Sequence, residues 1–426
     1  MQTPVNLVWT IADSYKFFIK FSNYRGSVKS CKSGTRVQTR RFTSYYVTEP
    51  TTIPSTQKAI PRLRIPLLHA PTHFGHFTSR VNRLYNQDRY TASVLTVPSI
   101  SSLAPKSERS PHNRQMFFYS LFDGHGGAEC SEFLARKLAT YIENCDLNSI
   151  DRIEQEWKDN VGGYWARWKG QLARYSRMMS KDSDLMLRVP LAFLQADYDF
   201  TKQDYPSGST CTSVFIYTDD PTKPYWADTS ARLTIAHVGD TKCIISDRNG
   251  EAHALTGAHH LSSPIESARL RRYAASFFTD SFGEERFGNV ENTRAFGDKA
   301  MKRLGVTAEP DMSAYTIGSK TATDGFGGSE PFLVIVSDGI TKFASDQEIV
   351  DLVTSTGYRS GYARGTPQDA AREVVQFAAD VGGDDNATCL VVRLSGWGKW
   401  NKPMDRTGDL REYRLKEAFD KSARRQ

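Results

Sequence analysis

An α+β fold is what this sequence predicts, and three observations lead there. Short apolar runs rich in β-branched residues, closed off by turn formers, recur at 212–217, 232–238, 242–246, 332–336 and 387–394; they read as strands. Stretches with helical spacing of apolar side chains stand apart from them, at 128–144, across much of 145–205, and at 347–354 and 367–381. The third is the apolar and aromatic run 116–122, which passes directly into Asp123-Gly124-His125-Gly126-Gly127. It predicts a buried strand that delivers a carboxylate and an imidazole to a glycine-rich turn, where another group can approach the backbone closely.

The N-terminus comes first in order. The 426 residues carry a net charge of +7, and residues 1–48 hold all of it, with eight Lys or Arg against Asp13 alone. The remainder is neutral, which argues against a nucleic-acid binder that needs a broad basic face. Residues 1–48 are rich in Lys, Arg, Ser, Thr and aromatics, the composition of a mitochondrial transit peptide with 40–44 as a processing region. A basic tail on a cytoplasmic protein is the other reading. Residues 49–77 hold Pro50, Pro54, Pro61, Pro66 and Pro71 and predict a linker. The six cysteines show no CxxC pair, which argues against a zinc site or disulfide framework and for a reducing compartment. No apolar stretch reaches the length of a membrane span.

Within the main domain, 98–114 is rich in Ser and Pro and predicts an exposed loop. Phe133, Leu134, Leu138, Tyr141 and Ile142 give the helix over 128–144 one apolar face. In 145–205, Trp157, Tyr164, Trp165, Trp168, Leu172 and Tyr175 predict amphipathic core packing, with helix resuming after Pro190. Gly239-Asp240 and Asn249-Gly250 read as hairpin turns. A helix is expected over 261–273, a polar loop over 280–289, and a charged helical extension over 397–426.

Asp123, Asp338 and Asp385 each stand beside glycine or asparagine at the edge of an apolar strand. Carboxylates gathered at one sheet edge repel unless a cation sits among them, and hard oxygen donors suit Mg²⁺ or Mn²⁺ better than zinc. Two such ions can activate a shared water.

The ordered set of motifs resembles the type 2C family of metal-dependent protein serine/threonine phosphatases. The pieces are Arg83-Leu84-Tyr85-Asn86-Gln87-Asp88, Phe122–Gly127, Gly208-Ser209-Thr210, Val238-Gly239-Asp240, Thr293–Asp298, Glu309-Pro310, Ser337-Asp338-Gly339 and Asp385-Asn386. The resemblance spans about 78–396. It implies a four-layer α-β-β-α sandwich of two antiparallel β-sheets flanked by helices, with a helical insert at about 145–205. It also implies two Mg²⁺ or Mn²⁺ ions: Asp123 bridging them, the Gly124 carbonyl on one, Asp338 and Asp385 completing the other. Arg83 would hold the substrate phosphate, a metal-bridging water would attack in line, and His125 would protonate the leaving oxygen. If the transit reading holds, phosphorylated mitochondrial matrix enzymes, such as the 2-oxoacid dehydrogenase components on which related phosphatases act, are the implied partners.

The chain departs from the family pattern at three places. Gln87 stands where many members carry a metal-binding Glu, and a neutral amide is a weaker ligand; Asp88 beside it would support the site. His259-His260 replaces an Asp-His pair, and Thr341-Lys342 replaces Trp-Asp after Asp338-Gly339-Ile340. These changes give a second reading, a catalytically weak domain that binds phosphoproteins as a regulatory module.

Overall fold

The computed structural model describes residues 44–48, 62–97, 116–167, 184–218, 224–271, 277–279, 285–287, 291–318, 325–359, 365–400 and 405–423. Two sheets dominate. The first runs in the order Gly325–Phe326, Asp311–Ile317, Ala231–Val238, Gly208–Tyr217, Met116–His125, Arg89–Leu95, with Phe296–Gly297 pairing beside Gly208. The second runs Phe74–Ser79, Ala387–Arg393, Phe332–Val336, Lys242–Ser246, Ala252–Ala254. All pairs are antiparallel except that of Gly325–Phe326 with Asp311–Ile317.

Strand alternation builds three layers of core. Phe117, Tyr119 and Leu121 face inward and meet Leu333, Ile335, Leu390 and Val392 of the other sheet. Phe118 and Phe122 face outward and meet Leu134, Leu138, Val189 and Phe193 of helices Glu129–Glu143 and Asp184–Thr201. Val334, Val336 and Val391 pack under helices Asp346–Arg359 and Pro367–Asp380. Strands covered on both faces have no polar side to alternate with, so they read as continuous apolar runs. Burying each such side chain contributes about 1.5–3 kcal/mol. This is the expected four-layer α-β-β-α sandwich.

The elements follow the predicted ones, with informative differences. The strand does not stop at Phe122; it runs through His125, pairing Asp123, Gly124 and His125 with Thr210, Ser209 and Gly208. Asp123 therefore sits on a rigid strand, and the turn begins at Gly126 and Gly127, both at positive φ. Gly239-Asp240 is not a hairpin turn: Ala231–Val238 belongs to the first sheet and Lys242–Ser246 to the second. Asn249-Gly250 does join a hairpin. Helix Asp184–Thr201 passes through Pro190 without ending. A proline there costs about 3 kcal/mol, which the burial of Leu187, Leu191, Phe193 and Leu194 offsets. Trp157 and Trp165 are buried and stacked, with ring centroids 4.3 Å apart; Trp168, Leu172 and Tyr175 lie outside the described residues, as does 98–114.

The expected boundaries also move. Strand Ser44–Thr48 pairs with Arg62–Pro66 across the expected linker, and the second sheet already begins at Phe74. At the other end Trp397 and Trp400 are buried. Helix Gly408–Ala423 is docked through Arg414, which bonds Glu348 and the Phe343 carbonyl at 2.6 Å each. Of the loop expected at 280–289, Glu285–Phe287 pairs with Phe277–Thr279, and the rest lies outside the described residues.

A buried histidine makes stability depend on pH. His237 is held between the Thr212 hydroxyl (2.9 Å) and the Gly257 carbonyl (3.0 Å). A neutral ring fits here, donating from Nε2 to the Gly257 carbonyl and accepting at Nδ1 from the Thr212 hydroxyl. Burial lowers its pKa to about 3. The unfolded chain therefore binds a proton that the folded one refuses between pH 6.5 and 3, so this contribution is complete above 6.5 and is lost as pH falls. Between pH 7 and 5 the wild type should lose roughly 2 kcal/mol more than His237→Gln. Urea denaturation of both at the two pH values measures this; parallel losses would refute it.

Candidate active site

Four segments bring acidic side chains to one end of the sandwich. Asp123 comes from the long strand of the first sheet, and Asp338 opens the short helix Asp338–Thr341 directly after strand Phe332–Val336 of the second. Asp240 lies on the crossing between the sheets, and Asp385 just before strand Ala387–Arg393. One carboxylate oxygen each from Asp123, Asp240 and Asp338 lies within 4.8 Å of the others. The Asp338 N–H points at Asp123 Oδ2 at 3.4 Å. Gly339 lets the turn after Asp338 pack on the 385–386 backbone, since a Cβ there would overlap the Asn386 carbonyl.

The electrostatics mark these groups as mutually strained. Burial, then the charges of Asp88, Asp338 and Asp240, holds Asp123 well above the usual carboxylate range. Burial raises Asp338 too, with Asp240 adding to it. Asp88 is buried, accepts from the Thr388 hydroxyl at 2.6 Å through Oδ2, and is pushed by burial up to about 6. Its Oδ1 has no hydrogen-bond partner among the described residues. A hard divalent cation would resolve both the repulsion and the unsatisfied oxygen, so the donor set fits Mg²⁺ or Mn²⁺.

The other expected residues are gathered around this cluster. Arg83 donates to the Asp384 carbonyl and to Asp385 Oδ2, both at 3.0 Å, and is half-exposed. Asp385 is thus tied to Arg83 and stands outside the compact group that Asp240 completes. The Gln87 amide, in the orientation that satisfies both ends, donates to the Gly124 carbonyl and accepts from the Gly127 N–H, each at 3.1 Å. In that position it braces the turn. Asn386 locks the 80–87 segment, accepting from the Gln87 N–H at 2.8 Å and donating to the Tyr85 carbonyl at 3.0 Å. Lys342 lies on Asp338 Oδ2 at 2.6 Å.

His125 Nε2 is 2.8 Å from Asp298 Oδ2. Burial opposes its charge, but the hydrogen bond and charge of Asp298 outweigh this and raise its pKa. Gly208 makes the pair possible, since a Cβ there would overlap both partners.

Several of these residues carry no assignable role in the sequence alone. Asp240 has the local chemistry of a hairpin turn; its place between two sheets, where the Gly239 N–H donates to His259 Nδ1 at 2.9 Å, turns it into the cluster. His260 Nε2 is 3.2 Å from Asp240 Oδ2, and Glu291 completes a second acidic group with them. His259 instead faces inward to Asp311 at 2.9 Å, beside the buried Arg294–Glu266 pair at 2.6 Å. Asp298 carried a signal within Thr293–Asp298, without a role. Asp197, buried in an apolar helix, gave none; it accepts from the Gly297 N–H at 2.8 Å and so holds the turn that presents Asp298.

Comparison with known proteins agrees with this geometry. The sequence profile of protein phosphatase 2C matches residues 98–387. Protein phosphatase 2C homolog 4 of Schizosaccharomyces pombe is 41% identical over 350 residues, covering 80% of this chain and 84% of its own. Protein phosphatase 1K, mitochondrial, of Xenopus laevis is 24% identical over 365 residues, covering 83% and 75%. Among solved structures, a phosphatase from a pathogenic strain of Toxoplasma gondii superposes with a TM-score of 0.52 at 16% identity, over 75% of this chain and 92% of that one. That likeness speaks to the fold.

Proposed function

The chain belongs to the protein phosphatase 2C family, and from that premise we propose that the Asp123–Asp240–Asp338 cluster is the centre at which it hydrolyses phosphoserine and phosphothreonine. It is a metal-dependent protein serine/threonine phosphatase, and its substrates are phosphoproteins. The observation that carries the assignment of the centre is the convergence of three carboxylates within 4.8 Å, flanked by Arg83 and His125.

Asp123, the Gly124 carbonyl, Asp338 and Asp385 would hold two Mg²⁺ or Mn²⁺ ions, with Asp240 as a further donor and Gln87 bracing the Gly124 carbonyl. Bound there, the ions supply Lewis acidity, which lowers the pKa of the attacking water and offsets phosphate charge. Arg83 presents a guanidinium whose planar donors match two phosphate oxygens, and its bond to Asp385 aims it. His125, whose charged form the Asp298 carboxylate favours, gives its proton to the serine or threonine oxygen as that oxygen leaves. Retention of Asp123, Asp338 and Asp385 supports turnover over mere phosphoprotein binding.

Hydrolysis of a phosphothreonine peptide by the full chain, with Mn²⁺, Mg²⁺ or EDTA and with Asp338→Ala alongside, tests the assignment. Turnover should need metal and vanish in the variant; turnover that survives EDTA would refute it. The acid role has its own signature. His125→Gln should slow phosphothreonine hydrolysis roughly 10²-fold yet spare p-nitrophenyl phosphate, whose leaving group needs no proton. Gly208→Ala should behave likewise, because it displaces the pair. Equal losses on both substrates would remove His125 from that role.

The basic segment 1–48, with a relative named mitochondrial, supports import into the mitochondrial matrix and phosphorylated matrix enzymes, 2-oxoacid dehydrogenase components among them, as partners. Cleavage and protection of the chain by isolated mitochondria would test this; a full-length, protease-accessible product would refute it.

A further inference from the structure

We infer that the Lys342 ammonium is a resident cation of the acidic centre, which a divalent ion must displace from Asp338 before it can bind there. The inference rests on the carboxylate cluster being the metal centre, as proposed above. Its basis is placement. Lys342 ends the turn that Asp338 begins, with its N–H on the Asp338 carbonyl at 2.9 Å. From there its side chain folds back one turn, and Nζ lies 2.6 Å from Asp338 Oδ2 and 3.8 Å from Asp385 Oδ2. Arg83 holds the same Asp385 oxygen from the other side at 3.0 Å. Asp338 is also one of the three residues whose oxygens converge within 4.8 Å.

Two consequences follow. An ion that takes Asp338 Oδ2 competes with a charge-assisted hydrogen bond, so the affinity of the site falls by the strength of that bond. Once displaced, the ammonium remains within a few ångströms, and its positive charge still opposes the bound ion. Both effects weaken metal binding, since oxygen sites of this kind tune their affinity through net ligand charge. The ammonium is free to move: its side chain is 43% exposed on a flexible four-carbon stem. Lys342 thus makes activity respond to the divalent-ion concentration over a higher range than the carboxylates alone would set.

The test is Mn²⁺ binding by titration calorimetry, without substrate. Lys342→Gln, which keeps length and loses charge, should bind Mn²⁺ at least about tenfold more tightly. Lys342→Arg should stay near the wild type. In the wild type, Mn²⁺ should also speed acetylation of Lys342 by an amine-reactive ester, read by mass spectrometry, because the ammonium leaves its ion pair. Unchanged affinity in Lys342→Gln, with binding still abolished in Asp123→Ala, would overturn this inference alone. Mn²⁺ binding that survives Asp123→Ala would overturn the metal centre itself and this inference with it.

Discussion

Replacing Asp123 with asparagine should abolish turnover of a phosphothreonine peptide, by about 10³-fold or more (~4 kcal/mol of transition-state stabilisation), while raising the thermal stability of the metal-free protein. The two effects have one cause. Asp123 is fixed on a paired strand with its carboxylate against Asp88, Asp240 and Asp338, and burial with those charges holds its pKa far above normal. Folding without a cation therefore costs energy at this point, and removing the charge recovers it. A strained site of this kind is what an active centre retains and a purely structural one loses. The same variant should lose the rise in melting temperature that Mn²⁺ gives the wild type, since ligand binding to the native state is what produces that rise. Thermal melts with Mn²⁺ and with EDTA, beside the peptide assay, decide the matter. A variant that is less stable in EDTA, or that keeps its Mn²⁺ shift, would show that Asp123 is a structural residue.

Much of this centre was legible in the sequence because strands announce themselves. Asp123 directly follows the buried apolar run 116–122, and Asp338 and Asp385 flank buried strands; a continuous apolar run is hard to mistake. The sandwich itself came through resemblance, since no local period says which sheet a strand joins. Asp240 is hidden for this reason: Gly239-Asp240 has the local chemistry of a hairpin turn, and only the pairing of strands 231–238 and 242–246 with different partners makes it a crossover. His259 and His260 show the same limit. Adjacent in sequence, they face opposite ways, one into the Arg294–Glu266–Asp311 network and one toward Asp240. Lys342 shows in the sequence as a departure from the family pattern just after Asp338-Gly339-Ile340; its partner is decided by a one-turn return that spacing of i to i+4 permits but does not require.

Asp197 was the least legible of all, and it carries the second large prediction. Its carboxylate lies 2.6 Å from Lys302 Nζ, and both side chains are essentially sealed from solvent. Burial nonetheless raises Asp197 to about 6, so the attraction of Lys302 does not fully offset desolvation. Lys302→Met should therefore cost about 3–5 kcal/mol, because it leaves a buried carboxylate without its counter-charge. The pair also does a geometric job, since Asp197 Oδ1 accepts from the Gly297 N–H at 2.8 Å and Lys302 donates to the Ala295 carbonyl at 2.7 Å. Between them they clamp both ends of Phe296-Gly297, one residue before Asp298. An asparagine at 197 keeps the oxygen that Gly297 needs while losing the charge. The double variant Asp197→Asn with Lys302→Met should then regain most of the lost stability and keep its preference for Asp298-assisted phosphothreonine hydrolysis. Urea denaturation of the single and double variants, completed as a double-mutant cycle, measures the coupling. Simple additivity of the two losses would mean that the charges act independently and that the clamp on Asp298 lies elsewhere.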